Sequence, residues 1–89
     1  LQDRADLLTT MAQKSVRQRT ALALILLDDI YKGAPINLSR DDLANFVGTA
    51  TETIIRLLRD FKKEGILDIQ GRKITILNIE ELIELSELI

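Results

Sequence analysis

From Ser39 to Leu67 the chain reads SRDDLANFVGTATETIIRLLRDFKKEGIL, and this stretch permits few folds. Ser39 precedes an apolar-periodic run, where its side-chain oxygen can cap free backbone N–H groups. Asp42, three residues on, completes a box-like pair with it. Leu43, Phe46 and Val47 recur at helical spacing and are expected on one buried face, with Ala44 small where a crossing helix comes close. At Gly48 the chain must turn sharply, and a positive φ is easiest for glycine. Thr49 and Glu52 then read as a second capping box, opening a longer helix expected from about Ala50 to Glu64.

That longer helix carries two stripes. Ile54, Leu57, Leu58 and Phe61 follow the i, i+3, i+4, i+7 pattern of a core-facing side. Glu52, Ile55, Arg56 and Arg59 repeat the pattern on another side. A helix, a glycine turn and a second helix with a polar and basic outer stripe form a helix-turn-helix signature. The second helix of such a pair enters the DNA major groove.

The flanking sequence completes an architecture that is mainly α with a small β-hairpin. From Val16 to Lys32 a helix is expected, its run Ala21-Leu22-Ala23-Leu24-Ile25-Leu26-Leu27 apolar almost all round and therefore covered on more than one side. Gly33 and Pro35 stop it, and Ile36-Asn37-Leu38 is a short extended segment. After Gly65, Leu67–Gln70 and Lys73–Leu77 alternate as strands do. Gly71-Arg72 between them suits a two-residue turn with glycine first. This hairpin reads as the wing of a winged helix, with Arg72 and Lys73 at a tip that reaches phosphates; an ordinary surface turn is the alternative. Asn78 caps a last helix from Ile79, with Leu82, Ile83 and Ile89 inward and glutamates outward. At the other end, Leu1, Ala5, Leu8, Met11 and Ala12 fall near one side of a helix. Fewer than two heptads leave open whether that side pairs two chains or packs on its own domain.

Composition excludes several functions. The 89 residues allow one small domain, and they contain no cysteine or histidine. That removes disulfides, the usual zinc sites and catalysis built on either residue. No apolar run approaches the ~20 residues of a membrane span, so no membrane partner is expected, and the expected location is cytoplasmic. The net charge of −2 is unusual for a nucleic-acid binder. However, the tail from Ile79 contains Glu80, Glu81, Glu84 and Glu87 and no base, so the acid is concentrated there. Binding responds to the local field of a patch more than to the overall sum, and affinity for random DNA should be weak.

From roughly Lys14 to Leu77 these residues resemble the Crp/Fnr transcription regulators. The resemblance rests on LSRDDLANFVGTATETIIRLLRDFKKEGIL followed by the GRK hairpin turn. The diagnostic order is the L-S-R-D-D-L-A start, V-G at the turn, E-T-I-I-R-L on the second helix, then G-I-L and a wing. Members are homodimers with an N-terminal β-roll sensor, a long dimerisation helix and a C-terminal winged helix. The resemblance thus implies that residues 1–13 end the dimerisation helix, with Leu1, Ala5, Leu8, Met11 and Ala12 as its contacts. Residues 14–78 would form the DNA-binding domain and residues 79–89 an acidic amphipathic helix. The chain begins at Leu1, in what reads as mid-helix, so a fragment of a longer protein is expected. No cofactor is expected in it, the effector of the missing sensor is unknown, and RNA polymerase is a further partner the resemblance admits.

In the family a glutamate, and an arginine four residues later, read the TGA core of each palindromic half-site; Glu52 and Arg56 match them. The chemistry agrees independently, because arginine pairs bidentately with guanine and glutamate accepts from a cytosine amino group. Spaced i and i+4, the two can also pair with each other. Many members carry Ser-Arg-Glu where this chain has Ala50-Thr51-Glu52, which leaves the outer base without that arginine. Ile55, with Thr51 beside it in the base-reading set, can touch a thymine methyl or pack against the turn or wing. Ser39, Arg40, Thr49, Thr53, Arg59, Lys63, Arg72 and Lys73 are the expected backbone contacts, with Lys62 near them. Capping explains Glu52 and the threonines as well, and solvation explains Arg56. A winged helix that only binds protein is the alternative function; with carboxylates but no histidine, cysteine or phosphate-binding glycine loop, an enzyme is not expected.

Overall fold

The computed structural model describes residues 15–86. The expected N-terminal contacts Leu1, Ala5, Leu8, Met11 and Ala12 lie outside the described residues, as does Ile89. Helix α1 spans Val16–Ile30, followed by β1 (Ile36–Asn37), α2 (Arg40–Val47), α3 (Thr51–Lys63), β2 (Leu67–Gln70), β3 (Lys73–Ile76) and α4 (Ile79–Ser86). A full capping box starts α1: the Ser15 hydroxyl accepts from the Gln18 N–H and the Gln18 side chain accepts from the Ser15 N–H. The helix stops two residues earlier than Lys32, because Lys32 and Gly33 both take positive φ.

Ala21, Leu24 and Leu27 turn α1 toward a single core shared with Leu43, Ala44, Ile54, Leu58, Phe61, Ile66, Leu67, Ile74 and Leu82. Helix α1 is covered on more than one side, as expected, and two of its apolar residues stay outside. Leu26 is 48% and Ile30 63% exposed. Covering comes from α4 and α2, which leave one side of α1 open. Helix α4 packs most extensively against α1 and contributes Leu82 to the core. Its start is capped as expected, the Asn78 side chain accepting from the Glu81 N–H at 3.1 Å.

The sheet has three strands, in the order β1-β3-β2, all antiparallel. The third strand is an addition to the expected hairpin: Ile36 lies opposite Ile74 and Asn37 opposite Lys73, so the segment before α2 is tied to the wing. The hairpin register pairs Gln70 with Lys73, and Gly71 takes φ +64° while Arg72 does not go positive. That is the two-residue turn with glycine first. Strand β3 stops at Ile76 and leaves Leu77 61% exposed, one residue short of the expected end.

Two helix starts differ from expectation. Ser39 caps α2 by accepting from the Asp42 N–H at 3.0 Å, as expected for that arm of the box. The second expected box does not form. Ala50 is the N-cap of α3, and no side chain caps it. Thr49 is one residue too early, because its N–H closes back onto the Ala44 carbonyl at 3.0 Å, finishing α2 in a Schellman-type bond. Glu52 then falls at the second helical position, not the third.

Gly48 holds this turn at φ +87°, and a Cβ built there would meet nothing within 4 Å. The expected cost of Gly48→Ala is therefore purely conformational, about 1–2 kcal/mol for an L-residue in the left-handed region. Urea denaturation followed by circular dichroism should return that loss with an unchanged m-value. Gly48→Asn should lose less, since asparagine tolerates this region better.

Candidate nucleic-acid interface

Helix α3 divides as its sequence period requires. Ile54, Leu57, Leu58 and Phe61 are buried, and Glu52, Ile55, Arg56 and Arg59 are exposed. The buried side fixes the helix against the core, so the outer stripe is carried on a rigid element. Ile55 is 39% exposed and lies at the margin of a cleft of about 260 Å³ between α3 and the wing. Arg40, Leu58, Arg59, Lys62 and Ile69 complete its lining. Aliphatic side chains therefore floor a cleft rimmed by cations.

The expected Glu52–Arg56 pair does not form. Among the described residues neither side chain makes a hydrogen bond or ion pair, and the same holds for the Arg59 side chain. The pair is solvated on both sides, so water competes with an interaction of only a few tenths of a kcal/mol at most. Both groups are left available to an external ligand. Lys63, at the end of α3, and Arg72 and Lys73, at the tip of the wing, are exposed cations. Lys62 instead approaches Asp68 of β2 at 3.9 Å.

The remaining expected residues are partly occupied. Thr51 donates its hydroxyl proton to Asp41 Oδ1 at 2.7 Å, joining the start of α3 to the first turn of α2. Thr49 and Thr53 are half-buried, and the Thr53 N–H bonds the Ala50 carbonyl. Ser39 is half-buried as the α2 cap. Arg40 spans the gap to the wing: Nη1 donates to the Arg72 carbonyl at 3.3 Å and Nη2 to the Gly71 carbonyl at 3.2 Å. Burial, and then the nearby Arg72 charge, lower its pKa from the ordinary arginine value, although an arginine remains protonated throughout the working pH range.

One charged contact had no sequence signal. Arg17 Nη2 reaches both carboxylate oxygens of Glu64 at 2.8 Å, and its guanidinium lies 4.8 Å from the Phe61 ring centroid. This ties the start of α1 to the end of α3 across 47 residues of sequence, too far for any local pattern to reveal. The uncapped α3 N-terminus was equally hidden, because the threonines there suggest a cap.

The Crp-like helix-turn-helix domain pattern matches residues 18–85. The chain belongs to that family. It is 51% identical over 51 residues to the anaerobic regulatory protein of Aggregatibacter actinomycetemcomitans, which covers 57% of this chain and 20% of that protein. Against the fumarate and nitrate reduction regulatory protein of Vibrio cholerae serotype O1 it is 33% identical over 88 residues, covering 91% of this chain and 35% of that protein. A Crp/Fnr-family transcriptional regulator from Eubacterium rectale superposes with a TM-score of 0.84 at 31% identity, covering 91% of this chain and 38% of that one. This chain thus spans about a fifth to a third of the length of those curated relatives. These relatives are regulators rather than enzymes, and the four described helices with their three-stranded sheet are the winged helix-turn-helix of the family. No described helix is long and apolar enough to cross a membrane.

Proposed function

We propose that this chain is the sequence-specific DNA-binding part of a homodimeric Crp/Fnr-type transcription regulator, with α3 reading TGA-type half-sites of a palindrome. The supporting observation is the outer stripe of α3: Glu52, Ile55, Arg56 and Arg59 exposed, and the three charged members without partners among the described residues. Arg56 would pair bidentately with guanine, Glu52 would accept from a cytosine amino group, and Ile55 would meet a thymine methyl at the outer base. Thr51, its proton given to Asp41, would border the bases through its methyl group. The uncapped start of α3 presents N–H groups of the kind that bind phosphate. Ser39, Thr49, Thr53, Arg59, Lys63, Arg72 and Lys73 would follow the strands around it.

In this reading residues 1–13 pair two copies through Leu1, Ala5, Leu8, Met11 and Ala12, setting the two α3 helices about 34 Å apart in successive major grooves. A sensor domain upstream would orient them, RNA polymerase would be a further partner, and the work would take place in the cytoplasm. The test is fluorescence anisotropy with two duplexes, one a TGA/TCA palindrome with half-sites one turn apart and the other its scramble. Tighter, salt-sensitive binding to the palindrome is expected. Equal binding to both would leave a backbone binder. No binding, even by covalently paired chains, would favour a protein-interaction module.

A further inference from the structure

The first turn of α2 touches both elements that face the proposed DNA. Arg40 and Asp41 are adjacent in sequence and reach in different directions. Arg40 grips the two turn carbonyls of the wing, at 3.2 and 3.3 Å, and Asp41 accepts from Thr51 at the first position of α3, at 2.7 Å. The base of that turn is itself fixed, by the Ser39 cap and by β1, which pairs with β3 immediately upstream.

We infer that the first turn of α2 is a brace that sets the wing at a fixed position relative to the reading helix, and that Arg40 is a positioning residue for the wing rather than a phosphate ligand. The geometry of the side chain carries this. A guanidinium offers separate N–H groups in a rigid fork, and here two different nitrogens take two consecutive carbonyls. Those carbonyls belong to residues 71 and 72 of a two-residue turn, where no strand partner is available for them. The fork thus supplies the hydrogen bonds that the hairpin tip lacks. It also brings the Arg40 charge close to Arg72, an arrangement that needs the carbonyl dipoles between the two cations. With its fork committed and its side chain half-buried in the α3–wing cleft, Arg40 has less to offer a phosphate than Arg72, whose side chain is exposed at the tip.

The test has one arm that needs no DNA and one that rests on the proposed function. In the free 89-residue chain, ¹⁵N relaxation at Gly71, Arg72 and Lys73 should report increased fast motion in both Arg40→Gln and Arg40→Lys. Lysine keeps the charge but donates from a single nitrogen and lacks the planar fork that meets the two carbonyls with separate nitrogens. Unchanged order at all three positions in both variants would overturn the brace. With the palindromic duplex, Arg40→Lys should weaken binding about as much as Arg40→Gln, roughly fivefold. Arg72→Ala should reduce the salt slope by about one in the wild-type background and by much less in either Arg40 variant, because an unbraced tip no longer holds Arg72 on the backbone. If instead Arg40→Lys binds as wild type and the Arg72→Ala loss is the same in every background, Arg40 acts by charge and the inference fails. If the wild-type chain binds no duplex even when covalently paired, the proposed function fails, and the relaxation arm alone decides the brace.

Discussion

Phe61→Ala should cost about 3–5 kcal/mol of folding stability, the range for removing a buried aromatic ring. Phe61 is completely buried in the cluster that joins α1, α3 and the sheet. Its loss opens a cavity at the centre of a small domain, where neighbouring side chains come from three elements and cannot collapse together. Arg17 would also lose the ring beneath its guanidinium, although that contact is half-exposed and adds little. Domains of this size shift by about 4–8 °C per kcal/mol, so the melting temperature should fall by more than about 12 °C. Thermal unfolding at 222 nm measures it. The other phenylalanine provides the control. Phe46 is 50% exposed, and Phe46→Ala should change stability by less than about 1 kcal/mol. Equal losses at the two positions would mean that the core is placed incorrectly.

These two residues also show what the sequence can and cannot convey. Each stands at helical spacing from other apolar residues, and both were expected inside. In α3, a helix of 13 residues, the buried side is repeated over about two turns, so Ile54, Leu57, Leu58 and Phe61 determine one another. In α2 there are only eight residues, and Leu43, Ala44 and Val47 already fill the side facing the core. Phe46 lies at the edge of that arc, on an open groove beside Leu22 and Leu26. A short helix leaves its apolar arc ambiguous by one residue in a way that a long one does not.

The candidate interface divides similarly. The exposed stripe of α3 follows from period alone. The positive φ at Gly48 and Gly71 follows from local turn chemistry, since no other residue takes those conformations at so little cost. What the sequence hides is where polar side chains find partners far along the chain. Arg40 reads as one more cation near DNA until β1 pairs with β3 and brings the wing turn within its reach. Thr49 reads as a cap until its N–H is used to close α2. Arg17 and Glu64 read as unrelated surface charges until the core brings the ends of α1 and α3 together. In each case a tertiary contact decides among several locally permitted partners. Two pairs that local spacing did suggest do not form: Thr49 with Glu52, because the helix starts one residue later, and Glu52 with Arg56, because both groups face water.

That separation underlies the largest expected effect on recognition. Arg56→Ala should cost about 1–3 kcal/mol on a TGA palindrome and much less on a scrambled duplex, since a bidentate guanine contact is worth that much discrimination. Arg56 is exposed on a helix whose opposite face is anchored, and it makes no ion pair among the described residues, so its removal should leave folding intact. Lys63→Ala supplies the contrast. An exposed cation at the end of α3 acts through phosphate charge, so its removal should weaken both duplexes alike and lower the salt slope by about one. Competition titrations at two ionic strengths measure both quantities together. A loss from Arg56→Ala that is equal on the two duplexes would reduce this arginine to a backbone contact and remove the basis for reading guanine with α3. A selective loss, with Lys63→Ala unselective beside it, would assign sequence to the middle of the stripe and charge to its end.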